Sequence, residues 1–220
     1  MSELNRLISD VYQRQLTELD KAEQAGMKAE EQEAKFGLSS DDLVAMGTFL
    51  TQFGKFLSKT GQNLACIKVL KQLVGVQEKF PKKSLELSSA AYKVANQCWK
   101  IGYHQEALEF AKRSMQVSQE LLGHDSVQVA DAFQLLSLVH FGLNDLPEAE
   151  KYMLMALKLR EQLQGREHAQ VAEVLLHLGA IALRKGNADD AREYQLRANR
   201  LMGARSRRMT KSKHEDDKTG

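Results

Sequence analysis

From residue 47 onward, apolar residues fall three and four apart in short stretches broken by polar punctuation. That spacing marks one buried stripe on a helix of about 3.6 residues per turn. In the stretch LPEAEKYMLMAL, residues 146–157, two alanines, Ala149 and Ala156, sit seven apart among bulky apolar and charged neighbours. Ala149 has counterparts at Ala107 and Ala191, each 42 residues away. Twelve residues before these three come Ala95, Ser137 and Gly179, all small, and each follows a branched apolar residue, Val94, Leu136 or Leu178. Phe110, Tyr152 and Tyr194 keep the same step, as do Ser114, Ala156 and Ala198, and Leu87, Val129 and Val171. A copy displaced by one residue lies upstream, with Leu50, Phe53, Gly54 and Leu57 followed by Gly61, Cys66 and Leu70. A fixed step of this size predicts a repeat array built from pairs of helices.

The punctuation places the hairpin turns. Gly61, Gly102 and Gly186 fall between the two periodic stretches of their copies, and Asp145 with Glu148 and Asn187 with Asp190 have the spacing of capping boxes or close variants. Pro147 sits in a first helical turn, where its missing N–H breaks no hydrogen bond. The small residues then read as a seam where two helices approach closely, rather than the wall of a ligand cavity, because one hairpin cannot bury its apolar face alone and stacked hairpins can.

Against the pattern W-x2-L-G-x2-Y, then A-x3-F, these residues occupy the large, small and large positions in turn, so the chain resembles the tetratricopeptide repeat family. The implied fold is an all-α superhelix of four helical hairpins, at 47–80, 88–121, 130–163 and 172–203, over about 160 of the 220 residues. The lengthened connectors, with Leu122-Gly123-His124 and Gly165-Arg166-Glu167-His168, are similar to those of kinesin light chain and its relatives. Three departures stand out: the pattern's closing proline is absent, its tryptophan position holds Leu50, Ala91, Phe133 and Leu175, and its tyrosine position holds Leu57, Cys98, His140 and Ala182. Residues 1–46 carry an amphipathic segment (Leu4, Ile8, Val11, Tyr12, Leu16, Leu19), read as a helix capping the array, with a short coiled coil as the alternative.

Composition changes this picture little. The hydrophobic fraction is 43%, prolines number two and net charge is +2, so helix formers dominate and no strong overall field draws nucleic acid or an anionic membrane. Two cysteines make no disulfide scaffold, and no apolar run nears the roughly 18 residues of a membrane span. The expectation is a soluble cytoplasmic protein, with the nucleus as the alternative compartment.

Chemistry is sparse. The histidines at 104, 124, 140, 168, 177 and 214 make no metal-ligand spacing, and no phosphate-binding or nucleophile motif is present. No catalytic residue, metal or cofactor is assigned. Cys66, Cys98 and His140 fall at core positions of the pattern.

The opposite face of each first helix is more informative. It carries Thr51, Lys55, Ser58 and Lys59; then Tyr92, Asn96, Trp99 and Lys100; then Gln134, Leu138 and Phe141; then Leu176, Leu183 and Arg184. The resemblance implies that this face lines a concave groove. It is unusually apolar for solvent, and its bordering cations suit acidic groups, so the expected partner is a protein segment with apolar anchors flanked by Asp or Glu. Residues 204–220 lose the periodicity and read as a disordered tail with a basic cluster at Arg205, Arg207, Arg208, Lys211 and Lys213. That cluster offers an alternative nuclear or nucleic-acid role, though no aromatic residues are interleaved for base stacking. A purely structural subunit is the third reading.

Overall fold

The computed structural model describes the backbone at residues 40–80 and 82–216, and side chains at 44–80 and 82–203. The described residues form eight helices and no strand: α1 (Ser40–Lys59), α2 (Asn63–Glu78), α3 (Leu85–Lys100), α4 (His104–Leu122), α5 (Val127–Gly142), α6 (Leu146–Gln164), α7 (Ala169–Arg184) and α8 (Ala188–Asp216). The chain divides into two units, Met1–Ala45 and Met46–Gly220. The second is a helical-hairpin solenoid in which α3 packs with α4, α5 with α6 and α7 with α8, and each hairpin stacks on the next through α2–α3, α4–α5 and α6–α7. The capping helix and coiled coil expected before residue 40 lie outside the described residues.

Each first helix after α1 opens on a side-chain cap. Ser84 and Ser126 accept from the backbone N–H of Leu87 and Val129, both at 3.3 Å, and the Nδ1 of His168 accepts from that of Gln170. These three caps are themselves 42 residues apart, so the repeat carries its own start signal. Asp145 caps α6 in the same way through Glu148 N–H. Every hairpin turns through one left-handed residue: Gly61, Gly102 and Gly186, and in the third hairpin Asn144 at φ 61°. Asparagine tolerates that region better than other side-chain-bearing residues, which is why the glycine step skips one copy.

The alanine seam is where the sequence places it. Ala149 and Ala156 are both 0% exposed. Across the third hairpin, Ser137 Oγ donates to the Ala149 carbonyl at 2.5 Å. In the first hairpin Cys66 Sγ lies 3.3 Å from the Gly54 carbonyl, the same separation of twelve residues. Close approach explains the size limit: a Cβ on Gly54 would lie 2.9 Å from Leu70 Cδ2, and one on Gly179 would lie 3.4 Å from the Ala191 carbonyl oxygen. Bulky partners fill the rest, with Met153, Leu175 and Leu178 in the α6–α7–α8 core and Phe133 and Leu159 in the α5–α6 core.

One expectation changes. The helix α8 runs on to Asp216, so residues 204–216, read from sequence as disordered tail, have helical backbone. The apolar stripe ends near Leu201, but Arg, Lys, Met and Ala keep good helix propensity after the packing face is gone. Earlier in α8, Arg192 and Arg200 face solvent while Arg197 pairs with Glu161. The side chains of Arg205, Arg207, Arg208, Lys211 and Lys213 lie outside the described residues.

Candidate partner-binding face

Hydrogen bonds join α1 to α3 and α5 to α7, and each includes one residue singled out by helical arithmetic and one that is not. Gln97 Nε2 donates to Ser58 Oγ at 2.7 Å, joining α3 to α1. Gln134 Nε2 donates to Glu173 Oε1 at 3.1 Å, joining α5 to α7. Tyr92 and Asp131 repeat the Gln134–Glu173 relation one hairpin earlier, 42 residues back on both sides. The Asp131 carboxylate, together with burial, raises the Tyr92 phenol above its ordinary range, with burial the larger cause. At the far end Arg184 lies over the Phe141 ring, 4.8 Å from its centroid, and its Nη2 donates to Asn144 Oδ1 at 3.0 Å.

The fourteen residues do not share one fate. Lys55, Lys59, Lys100, Leu176, Leu183 and Arg184 are exposed, Leu183 most among the leucines at 62%. Thr51, Ser58, Tyr92, Asn96, Trp99 and Gln134 are half-buried. Thr51 Oγ1 is spent on the Gly47 carbonyl of its own helix. Leu138 and Phe141 are also half-buried, packed against the α6–α7–α8 core, so part of their apolar surface serves stacking. The sequence arithmetic missed this because it treats each helix alone, and a neighbouring hairpin covers one edge of the outward stripe.

The face also holds residues that sequence reasoning did not select. Lys93 is half-buried, and burial followed by repulsion from Lys55 lowers its pKa. Arg160 rises from α6 beneath the face at 3% exposure; its Nη2 donates to Asp131 Oδ1 at 2.6 Å and to Gln134 Oε1 at 2.8 Å. Its Nε and Nη1 are buried with no partner among the described residues. Burial raises the Asp131 carboxyl, against the pull of Arg160. Asp131 and Glu173 stand one 42-residue step apart, a signal legible in the sequence. Arg160 gives none, since it lies on the other helix of its hairpin.

Cys66 and Cys98 are free and buried, and burial, then Glu106, pushes the Cys98 thiol up to about 12, so it is protonated at neutral pH and a poor nucleophile. His140 is interior: Nδ1 meets Asp145 Oδ2 at 3.0 Å and the ring stacks on Tyr152. Among the described residues no group of three or more His, Cys, Asp or Glu is placed to hold a metal ion. No described helix is long and apolar enough to cross a membrane.

The tetratricopeptide repeat family matches residues 86–162 and 138–202, together more than half of the chain. No curated protein matches it by sequence. Among solved structures, BtubC (BKLC) from P. vanneervenii is similar at 16% identity and TM-score 0.52, over 94% of this chain and 93% of that one. The apo form of RapI is similar at 15% identity and TM-score 0.68, over 92% and 71%. A Rap protein complexed with Competence and Sporulation Factor is similar at 17% identity and TM-score 0.63, over 79% of this chain and 47% of that one. At these identities the likeness is one of fold.

Proposed function

The chain belongs to the tetratricopeptide repeat family, and from that premise we propose that it is a non-catalytic, cytoplasmic adaptor whose first-helix face holds a segment of another protein. One observation carries the reading. Half-buried Trp99 and exposed Leu176 and Leu183 share a face with Lys55, Lys59 and Lys100, which have no acidic partner among the described residues. Large apolar groups beside unpaired cations suit a segment with apolar anchors and flanking carboxylates, and a half-buried tryptophan is the residue type most often found as a hot spot. The related fold of a Rap protein, complexed with Competence and Sporulation Factor, agrees with a binding role. The buried, protonated thiols and the interior histidine favour binding over catalysis.

The test begins with crosslinking mass spectrometry in native cells to name the partner, followed by calorimetric titration. Trp99→Ala with Lys100→Glu is expected to weaken binding about 100-fold, near 3 kcal/mol, with the helical circular dichroism unchanged. Unchanged affinity would remove the face from the account. Affinity that falls steeply with salt and survives the double substitution would assign binding to the basic residues 205–213 instead.

A further inference from the structure

We propose that the first-helix face reads two opposite charges on one partner segment: an acidic group seated over α1 and α3, and a basic group seated over α5 and α7, with the apolar anchors between them. The inference rests on the binding role proposed above and narrows the partner from an acidic segment to a dipolar one, bound in a fixed direction.

The α1–α3 half gathers cations. Burial and, to a lesser extent, the Lys55 charge lower the Lys93 pKa, and Lys59 and Lys100 end the same two helices. None of the four has an acidic partner among the described residues. Elsewhere the chain does pair its cations, Lys71 with Glu106 between α2 and α4, and Lys83 and Lys185, in the connectors after α2 and α7, with Glu120 and Glu150. Four lysines without an acidic partner among the described residues, one of them half-buried, are an arrangement that a bound carboxylate relieves.

The α5–α7 half places a carboxylate, not a lysine cluster, on the face. Asp131 is bound by Arg160, whose guanidinium is all but inaccessible, so the pair presents no net charge to a ligand. Gln134 spends its carbonyl on Arg160 and its amide on Glu173, and this fixes the Glu173 carboxylate in place. Glu173 is 60% exposed, and its neighbour His177, 4.0 Å away, is held toward the neutral form by burial. One positioned carboxylate, with no cation paired to it among the described residues while His177 is neutral, therefore stands one helical turn from exposed Leu176. The exposed cation of α7, Arg184, keeps its charge, since Phe141 and Asn144 are neutral, but it is held at the other end of that helix from Glu173.

The experiment presents the full chain with a pool of synthetic 15-residue peptides, each with a Leu/Phe/Trp centre flanked by Asp/Glu and Lys/Arg blocks in both chain directions. Versions with two acidic or two basic flanks are included. The wild-type chain is expected to enrich dipolar peptides of one direction roughly tenfold over doubly acidic ones. Lys55→Glu with Lys93→Glu should move the preference to doubly basic peptides, and Glu173→Lys to doubly acidic ones, with thermal midpoints checked for each variant. Equal enrichment of doubly acidic peptides, insensitive to Glu173→Lys but lost with Trp99→Ala and Lys100→Glu, would overturn the dipolar reading and leave the binding face standing. Enrichment of no peptide, or enrichment indifferent to Trp99, would overturn both. Carbodiimide crosslinks joining Lys93 to acidic residues within 1–39, or to a second copy, would make the chain its own occupant and also refute the proposal.

Discussion

Replacing Ala149 with leucine is expected to lower the unfolding free energy by about 3 kcal/mol, the upper part of the range for overpacking a core. The same replacement at Ala180, exposed on α7, should change it by less than about 0.5 kcal/mol. Both alanines are helical and the added side chain is identical, so the difference isolates packing from propensity. At Ala149 the side chain is wholly buried, and the carbonyl of the same residue accepts the Ser137 hydroxyl at 2.5 Å. Three extra carbons there must push α5 away from α6, which opens the packing around Met153 and breaks that hydrogen bond. Urea denaturation followed by circular dichroism measures both variants. Equal effects would mean that the small residues do not mark a tight seam.

Asp131→Leu is expected to cost about 3 kcal/mol, the lower end for breaking a buried ion pair. Asp131 itself is 38% exposed and its loss alone would be modest, but the substitution strands Arg160, 4% exposed at its side chain. That guanidinium would keep one neutral acceptor, Gln134, while its Nε and Nη1 already have none among the described residues. Adding Arg160→Met should return most of the lost stability, to within about 1 kcal/mol of wild type, because the expense lies in the uncompensated charge and not in the missing contact. The direction of the Asp131 shift agrees: burial raises the carboxyl although an arginine is bonded to it, so desolvation outweighs attraction at this pair. Additive losses in the double variant would show that the pair is a net source of stability.

The fold was legible because its constraint is local and repeated. A helix that must approach another at one point admits only Gly, Ala, Ser or Cys there, and Gly54, Ala95, Ser137 and Gly179 with Cys66, Ala107, Ala149 and Ala191 report that limit four times. The features that escaped are those set by neighbours outside the repeating unit. Asn144 substitutes for a turn glycine through its tolerance of positive φ, which a search for glycine does not detect. Phe141 and Leu138 look outward on α5 alone and are half covered once α7 stacks beside it. Arg160 belongs to the second helix of its hairpin, and nothing in its spacing announces that it ends beneath Asp131 and Gln134. The extension of α8 past residue 203 leaves no apolar period in the sequence, because helix propensity continues where the packing face ends and the two are separate terms.

The seam fixes where the first helices lie, and their alignment fixes which residues become neighbours. Neighbouring then decides charge: burial and the Lys55 charge act on Lys93, while Glu173 is held by Gln134. The binding proposal therefore depends on the seam geometry before it depends on any property of Trp99 or the lysines.

The most direct check is a nuclear Overhauser experiment on the methyl groups of the folded chain, aimed at Ala95 and Ala107. Both are fully buried, on α3 and α4, at the positions that bring Ser137 against Ala149 in the next hairpin. A clear cross-peak between the two methyls is the predicted result; two well-resolved methyl signals with no cross-peak between them would contradict the paired-helix seam and the aligned binding face built on it.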